Sequence, residues 1–258
     1  MQLVDSHCHL DVAEFDGDRT AVVVRARNVG VTRQVVPAIT AQGWPKLRDT
    51  CAAMPGLFPA YGLHPICVDK HQPGHLVELR GWIERERPVA IGECGLDFFL
   101  KDLGVDDQEA YFDGQLRLAA EYDLPVIVHA RRAVDAVIAA IKRTGKIRGV
   151  VHSFSGSIEQ AHQLSKLGFL IGLGGPVTYA RANRLRRLAA TVPIDWLLLE
   201  TDAPDQPDCG HRGQRNEPCR LTTVLQVIAG LRDDDPAAVA AATTANAERL
   251  FSLPALTA

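Results

Sequence analysis

Five of the chain's nine histidines fall where short apolar runs end. Asp5-Ser6-His7-Cys8-His9 sets two imidazoles two residues apart. In an extended strand such residues share a face while Cys8 turns away, so Cys8 is read as structural. Two imidazoles at the end of a buried strand suit a divalent cation; two hydrogen-bonded core histidines would give the same short pattern. Glu93 closes the apolar run Ala90-Ile91-Gly92. A carboxylate there is costly unless it is paired or ligating, and it could bridge two cations or sit in a buried salt bridge. Asp97, four residues on, would orient a ligand or cap a loop.

His64 follows a third apolar run, His129 ends Val126-Ile127-Val128, and His152 ends Gly149-Val150-Val151. His129 or His152 alone reads as a satisfied core histidine. His129 and His152, joined with His7, His9 and Glu93, read as ligands. Asp202, after Trp196-Leu197-Leu198-Leu199-Glu200-Thr201, could ligate a cation, accept the proton of an attacking water, or both. Glu200 would support it or be an ordinary strand-end carboxylate. Four imidazoles with carboxylates favour Zn, Mn or Fe, and Mg is compatible. Arg212 and Arg215 lie in a Gly/Pro-rich loop, where guanidinium groups grip phosphate or decorate a solvated turn. Arg181, Arg184 and Arg187, spaced i, i+3, i+6, predict one cationic helix face turned to solvent.

Eight runs position these residues: Leu3–His9, Arg33–Ala38, Phe58–Gly62, Val89–Glu93, Pro125–His129, Arg148–His152, Phe169–Gly172 and Trp196–Glu200. Each is rich in Val, Ile or Leu and bounded by Gly, Pro or polar residues, the pattern of buried parallel strands. Helical patterns lie between them. Val134, Val137, Ile138 and Ile141 follow i, i+3, i+4, i+7, with Gly145 at the C-cap. Ser157 and Gln160 predict a capping box on a helix ending near Gly168, and Asp235-Pro236 opens the last helix. Eight strand–helix alternations predict an α/β fold, a (β/α)8 TIM barrel spanning 1–258 as one domain. An open doubly wound sheet has the same alternation. No glycine fingerprint of nucleotide binding stands at any strand–helix junction, and the placement of polar residues at C-terminal strand ends favours the barrel.

Composition narrows the function classes. Hydrophobic residues make up 47% and charged residues 23%, which excludes wholesale disorder. The longest apolar stretches, such as Ala136–Ile141, fall far short of the ~20 residues a membrane span needs. No basic-then-apolar leader pattern is seen, so a soluble, cytoplasmic protein is expected. The six cysteines form no C-x-x-C pair and are expected to be reduced thiols. The net charge of −3 argues against a binder that holds nucleic acid by bulk charge, so any polyanion would be held locally.

Taken together, the blocks resemble the TatD-type metal-dependent hydrolases of the amidohydrolase-like barrels, closest to the YjjV-like branch. They are Asp5-Ser6-His7-Cys8-His9-Leu10-Asp11, Gly62-Leu63-His64-Pro65, Ile91-Gly92-Glu93-Cys94-Gly95-Leu96-Asp97, Val126-Ile127-Val128-His129, His152-Ser153-Phe154-Ser155-Gly156, Leu199-Glu200-Thr201-Asp202-Ala203-Pro204 and Arg212–Pro218. The resemblance implies two divalent cations (Zn, Mn or Mg). His7 and His9 would bind the first, Glu93 would bridge, His129 and His152 would bind the second, and Asp202 would stand with the first beside the reactive water. It further implies His64 and Arg215 as grips on the scissile phosphate and DNA as substrate; Arg212, of the same loop, is taken as a further substrate contact. Members are associated with deoxyribonuclease activity, often 3′-to-5′ on single strands. Phe98 replaces a Tyr common in the family, Ser153 a Cys or Gly, and Asp205 an aromatic; the last puts an acid near the phosphate path.

The expected function is two-metal hydrolysis of a phosphodiester. Two divalent ions against Glu93 and Asp202 leave a centre of about +2, enough to attract phosphate to an acidic protein. An amidohydrolase acting on a small amide, lactone or ring would use the same ligands, although many such enzymes carry a modified lysine where this chain has Glu93. A metal-stabilised binding protein without turnover is the third alternative. A monomer is compatible with all three, and no membrane partner is expected.

Overall fold

The computed structural model describes residues 1–254. Strands and helices alternate in the order β1 (Leu3–Asp5), α1 (Arg19–Asn28), β2 (Val31–Pro37), α2 (Trp44–Ala53), β3 (Leu57–Tyr61), α3 (Gly74–Glu86), β4 (Ala90–Asp97), α4 (Val105–Tyr122), β5 (Val126–Arg131), α5 (Val134–Thr144), β6 (Gly149–Val151), α6 (Ile158–Lys166), β7 (Phe169–Leu173), α7 (Asn183–Thr191), β8 (Leu197–Leu199), α8 (Leu221–Arg232) and α9 (Pro236–Phe251). The strands form one sheet in sequence order, and the pairs β1–β2, β3–β4, β4–β5, β5–β6 and β7–β8 are parallel. This is the (β/α)8 barrel that the alternation predicts.

Two groups of residues contact chiefly their own members. The first comprises Met1–Val36, Thr50–Phe58 and the chain from Ile171; the second comprises Pro37–Asp49 and Pro59–Leu170. In the first, the chain beyond β1 runs beside the chain beyond β8. Ser6 N donates to Leu199 O at 3.0 Å, Asp202 N to His7 O at 2.8 Å, and His9 N to Ala203 O at 2.7 Å. The strand expected to reach His9 ends at Asp5; beyond it the amides find scattered partners, Ser6 on Leu199 of β8, Cys8 on Val35 of β2 and His9 on Ala203 of the following loop. Even so, His7 and His9 keep a common side.

In the second group β4 and β5 are longer than expected, reaching Asp97 and Arg131. Their register shifts between Ile91 and Cys94, a bulge-like irregularity of the kind that re-aims a side chain beside a site. Gly95 permits it: at φ 137° an added Cβ would lie 2.1 Å from His129 O. Gly62 is required for a second close approach, since a Cβ there would meet the Gly92 carbonyl carbon at 2.5 Å.

The core is aliphatic. Val126, Ile127 and Val128 of β5 are buried, as are Val134, Val137, Ile138 and Ile141 of α5. Burying each such side chain stabilises the fold by roughly 1.5–3 kcal/mol. Helix ends follow local chemistry. Ser157 and Gln160 form the predicted capping box on α6, Gly145 caps α5, and Asp235 accepts from Ala237 N ahead of Pro236 in α9. One expectation is corrected: Arg181 precedes α7, so of the three spaced arginines Arg184 and Arg187 lie on that helix and Arg181 does not. A turn at 179–182 ends before the helix begins, with Ala182 N bonded back to Tyr179 O.

Candidate metal centre

Two clusters of buried ligand-type side chains form where the strands end. In the first residue group, His7 Nε2 and His9 Nε2 lie 3.1 Å apart. Asp202 Oδ1 stands 3.4 Å from the former and 3.6 Å from the latter. Several contacts fix this arrangement. Asp5, fully buried, accepts from Thr201 N, Thr201 Oγ1 and His7 N, tying the first strand end to the eighth. Burial pushes the Asp5 carboxyl up to about 7 against the pull of those donors. Asp202 sits at φ 56°, a conformation Asp tolerates, and its Oδ2 accepts from Gln206 Nε2. Buried Asn216 donates to the carbonyls of Thr201 and Asp205, holding the loop that carries Asp202.

The second cluster gathers on one oxygen of Glu93. His152 Nε2, His64 Nε2 and His129 Nδ1 lie 2.8, 2.9 and 3.1 Å from Glu93 Oε1. His152 Nε2 and His129 Nδ1 are 3.3 Å apart. The opposite nitrogens set the roles of two of these rings. His129 Nε2 lies 2.9 Å from Asp97 Oδ2. Burial favours the neutral acid, but His129 and the amides of Leu100 and Phe99 outweigh it and hold Asp97 below its ordinary range. Asp97 is thus the acceptor and His129 Nε2–H the donor, which turns the Nδ1 lone pair toward Glu93. Burial would lower the His129 pKa, yet Asp97 and Glu93 raise it. In His64 the Nδ1 accepts from Ile66 N at 3.1 Å, so the ring proton resides on Nε2.

The donor sets fit cations. The ligand atoms of His7, His9 and Asp202 lie within 4.8 Å of one another, as do those of His64, Glu93 and the half-buried His129. Bonds of about 2.0–2.2 Å to a shared cation place adjacent ligand atoms roughly 3.0–3.5 Å apart, close to the 2.8–3.6 Å separations seen here. Two imidazole nitrogens near contact, or an imidazole lone pair facing a carboxylate, need a proton or a cation between them. His64 is different: in its present tautomer it offers a donor.

The arginines of the loop after β8 divide. Arg215 bonds Asp18 at 2.7 Å and Glu217 at 2.9 Å and stacks 4.7 Å from the Phe15 ring centre. Arg212 is exposed and has no carboxylate partner among the described residues. All six cysteines are free. Sequence reasoning passed over two glutamines of α4. Gln115 accepts from Leu63 N and donates to Leu63 O, steadying the residue before His64. Gln108 does the same for Asp97 N and O. Both are buried and seven residues apart, the repeat of one helical face, which is the signal that could have found them.

The sequence matches the family described as TatD related DNase over residues 4–252. It is 41% identical over 256 residues to the uncharacterized metal-dependent hydrolase YjjV of Escherichia coli K12, covering 98% of this chain and 99% of that one. The crystal structure of that TatD homologue superposes with a TM-score of 0.94 over 98% of each chain. A protein named 3'-5' ssDNA/RNA exonuclease TatD, from Erwinia billingiae, is 36% identical over 262 residues, 98% of this chain and 100% of that one.

Proposed function

Because the chain belongs to the TatD-related DNase family of metal-dependent hydrolases, we propose that it cleaves phosphodiester bonds of DNA, shortening single strands from the 3′ end. One divalent cation (Zn, Mn or Mg) is assigned to His7, His9 and Asp202, and a second to Glu93, His129 and His152. Bound there, such ions lower the pKa of water and polarise the phosphoryl oxygen. The observation that carries the reading is the crowding of His64, His129 and His152 nitrogens within 3.1 Å of a single Glu93 oxygen. The exonuclease name of the Erwinia relative supports nucleic acid as the polymer.

The chain's own residues have separable tasks. Asp202, fixed through Gln206, takes the proton of the attacking water. His64, its Nδ1 held as an acceptor by Ile66 N, turns its Nε2–H from Glu93 Oε1 to a phosphoryl oxygen when substrate binds. Asp97 and Gln108 hold His129 and the β4 end in place. Arg212 can meet a phosphate farther along the strand; Arg215 does so only by leaving Asp18 and Glu217. One chain carries both clusters, so a monomer suffices. No helix among the described residues is long and apolar enough to cross a membrane. The free thiols agree with the cytoplasm as the working compartment.

The test is to strip the protein with a chelator, restore Mn, Mg or Zn, and offer labelled single-stranded DNA, a small phosphodiester and a panel of amides and lactones. Stepwise 3′ shortening of the DNA is expected. Turnover confined to amides or lactones would replace the reading with the amidohydrolase alternative.

A further inference from the structure

Arg131 stands two residues beyond His129 on β5, so the two side chains share a face, with Arg131 roughly 7 Å farther along. Its backbone is in register with Asp97, and Phe98 N donates to Arg131 O at 2.9 Å. Asp97 Oδ1 also accepts from Phe99 N at 2.9 Å. The carboxylate that orients His129 therefore also fixes where the Phe99 ring begins. Phe99 is 40% exposed. The Arg131 guanidinium carbon lies 3.7 Å from its centre and that of Arg132 lies 4.7 Å away.

Neither guanidinium pairs with a carboxylate among the described residues, whereas Arg25, Arg80, Arg148 and Arg215 are each matched by Asp or Glu. Arg132 also adopts φ 56°, an uncommon conformation for a long side chain. Two unmatched cations on one exposed ring repel each other, and the aromatic face offsets only part of that repulsion. An anion would relieve it. Guanidinium groups laid against a ring direct their N–H edges outward, the geometry that grips phosphate.

We propose that Phe99, Arg131 and Arg132 form a subsite for a backbone phosphate of the nucleic-acid substrate, distinct from the phosphate being cleaved. The subsite rests on the phosphodiesterase reading above. It lets an acidic chain hold a polymer locally, and it favours polynucleotides over small diesters. Arg131 and Arg132 supply the charge; Phe99 positions them.

The experiment compares the metal-loaded wild type with Arg131→Gln/Arg132→Gln and Phe99→Leu. Binding of fluorescent, phosphorothioate-linked oligothymidylate is followed by anisotropy over a salt series. The double variant is expected to lower the slope of log affinity against log salt by about 0.7–1.4, the share of one or two phosphate contacts. Its kcat/KM should fall at least about tenfold more for an oligonucleotide than for bis(p-nitrophenyl) phosphate, with the loss in KM. Phe99→Leu should give a smaller loss of the same kind. An unchanged salt slope would overturn the subsite, as would equal losses on both substrates, which would mark a merely structural role near Asp97. Equal loss of thymidine 5′-monophosphate binding would overturn it too, by revealing a monophosphate site. A wild type that cleaves no phosphodiester refutes the catalytic reading, while the binding arm still decides the subsite.

Discussion

Asp97 Oδ2 lies 2.9 Å from His129 Nε2, and this contact decides which nitrogen of His129 can bind a cation. With Nε2 donating to Asp97, Nδ1 faces Glu93 Oε1 at 3.1 Å and His152 Nε2 at 3.3 Å. The Asp97–His129 pair is the carboxylate–histidine arrangement that fixes the tautomer and raises the basicity of a ligand nitrogen. Asp97 also accepts from the amides of Phe99 and Leu100, so one carboxylate orients His129 and caps a loop.

Asp97→Asn keeps the loop acceptor and loses the charge on His129. Metal affinity of the Glu93 cluster is expected to fall about 10–100-fold, read by competition with a chelating dye. The other cluster should keep its affinity.

Asp202→Asn retains the shape of the side chain and removes a base. The turnover of metal-saturated protein on an oligonucleotide is expected to drop roughly 10²–10⁴-fold, measured as kcat. A drop confined to KM would assign Asp202 to binding alone.

Gln108→Leu leaves both polar groups of the Asp97 backbone without their side-chain partner. Each buried group left unsatisfied costs about 1–3 kcal/mol, so the urea midpoint should fall with little change in slope. Arg232→Ala, which removes donors to the Ala189 and Val192 carbonyls and touches neither cluster, should lower the midpoint without shifting metal affinity; Gln108→Leu should shift both, because Asp97 moves with its backbone.

The Asp18–Arg215 pair predicts a pH dependence. The hydrogen bond from Arg215 holds the Asp18 carboxyl down to about 2, with Arg25 adding to the effect. A carboxyl whose folded pKa lies below its unfolded value binds fewer protons in the native state. Its contribution is present above the unfolded value of about 4 and disappears as pH falls toward about 2. Arg215→Met should therefore lower Tm modestly at pH 7, and the deficit should shrink as pH falls through that window. Thermal melts of both proteins across pH check it.

The barrel was legible because its strands are buried on both faces and read as short apolar runs, each ending in a residue that an apolar run does not otherwise tolerate. His7 and His9 met as alternation requires, although the β1 ladder stops at Asp5. The Glu93 cluster was legible as a set of residue types, but not its proton arrangement, which depends on Asp97 and Ile66 contacts that no spacing reveals. Gln108 and Gln115 look like solvated helix residues until the burial of the α4 face is known. Phe99 and Arg131 lie 32 positions apart in the chain and meet only through the β4–β5 register, so their stack left no local trace. The partner of Arg215 was equally hidden, since Asp18 lies on the far side of the sequence.

On the proposed reading, each cluster holds its own divalent cation. Metal content per chain, measured by mass spectrometry on wild type, His9→Ala and His129→Ala after loading and buffer exchange, tests it directly. About two ions are expected in the wild type and about one in each variant. A folded wild type that retains none, or variants that retain as much as the wild type, would contradict it.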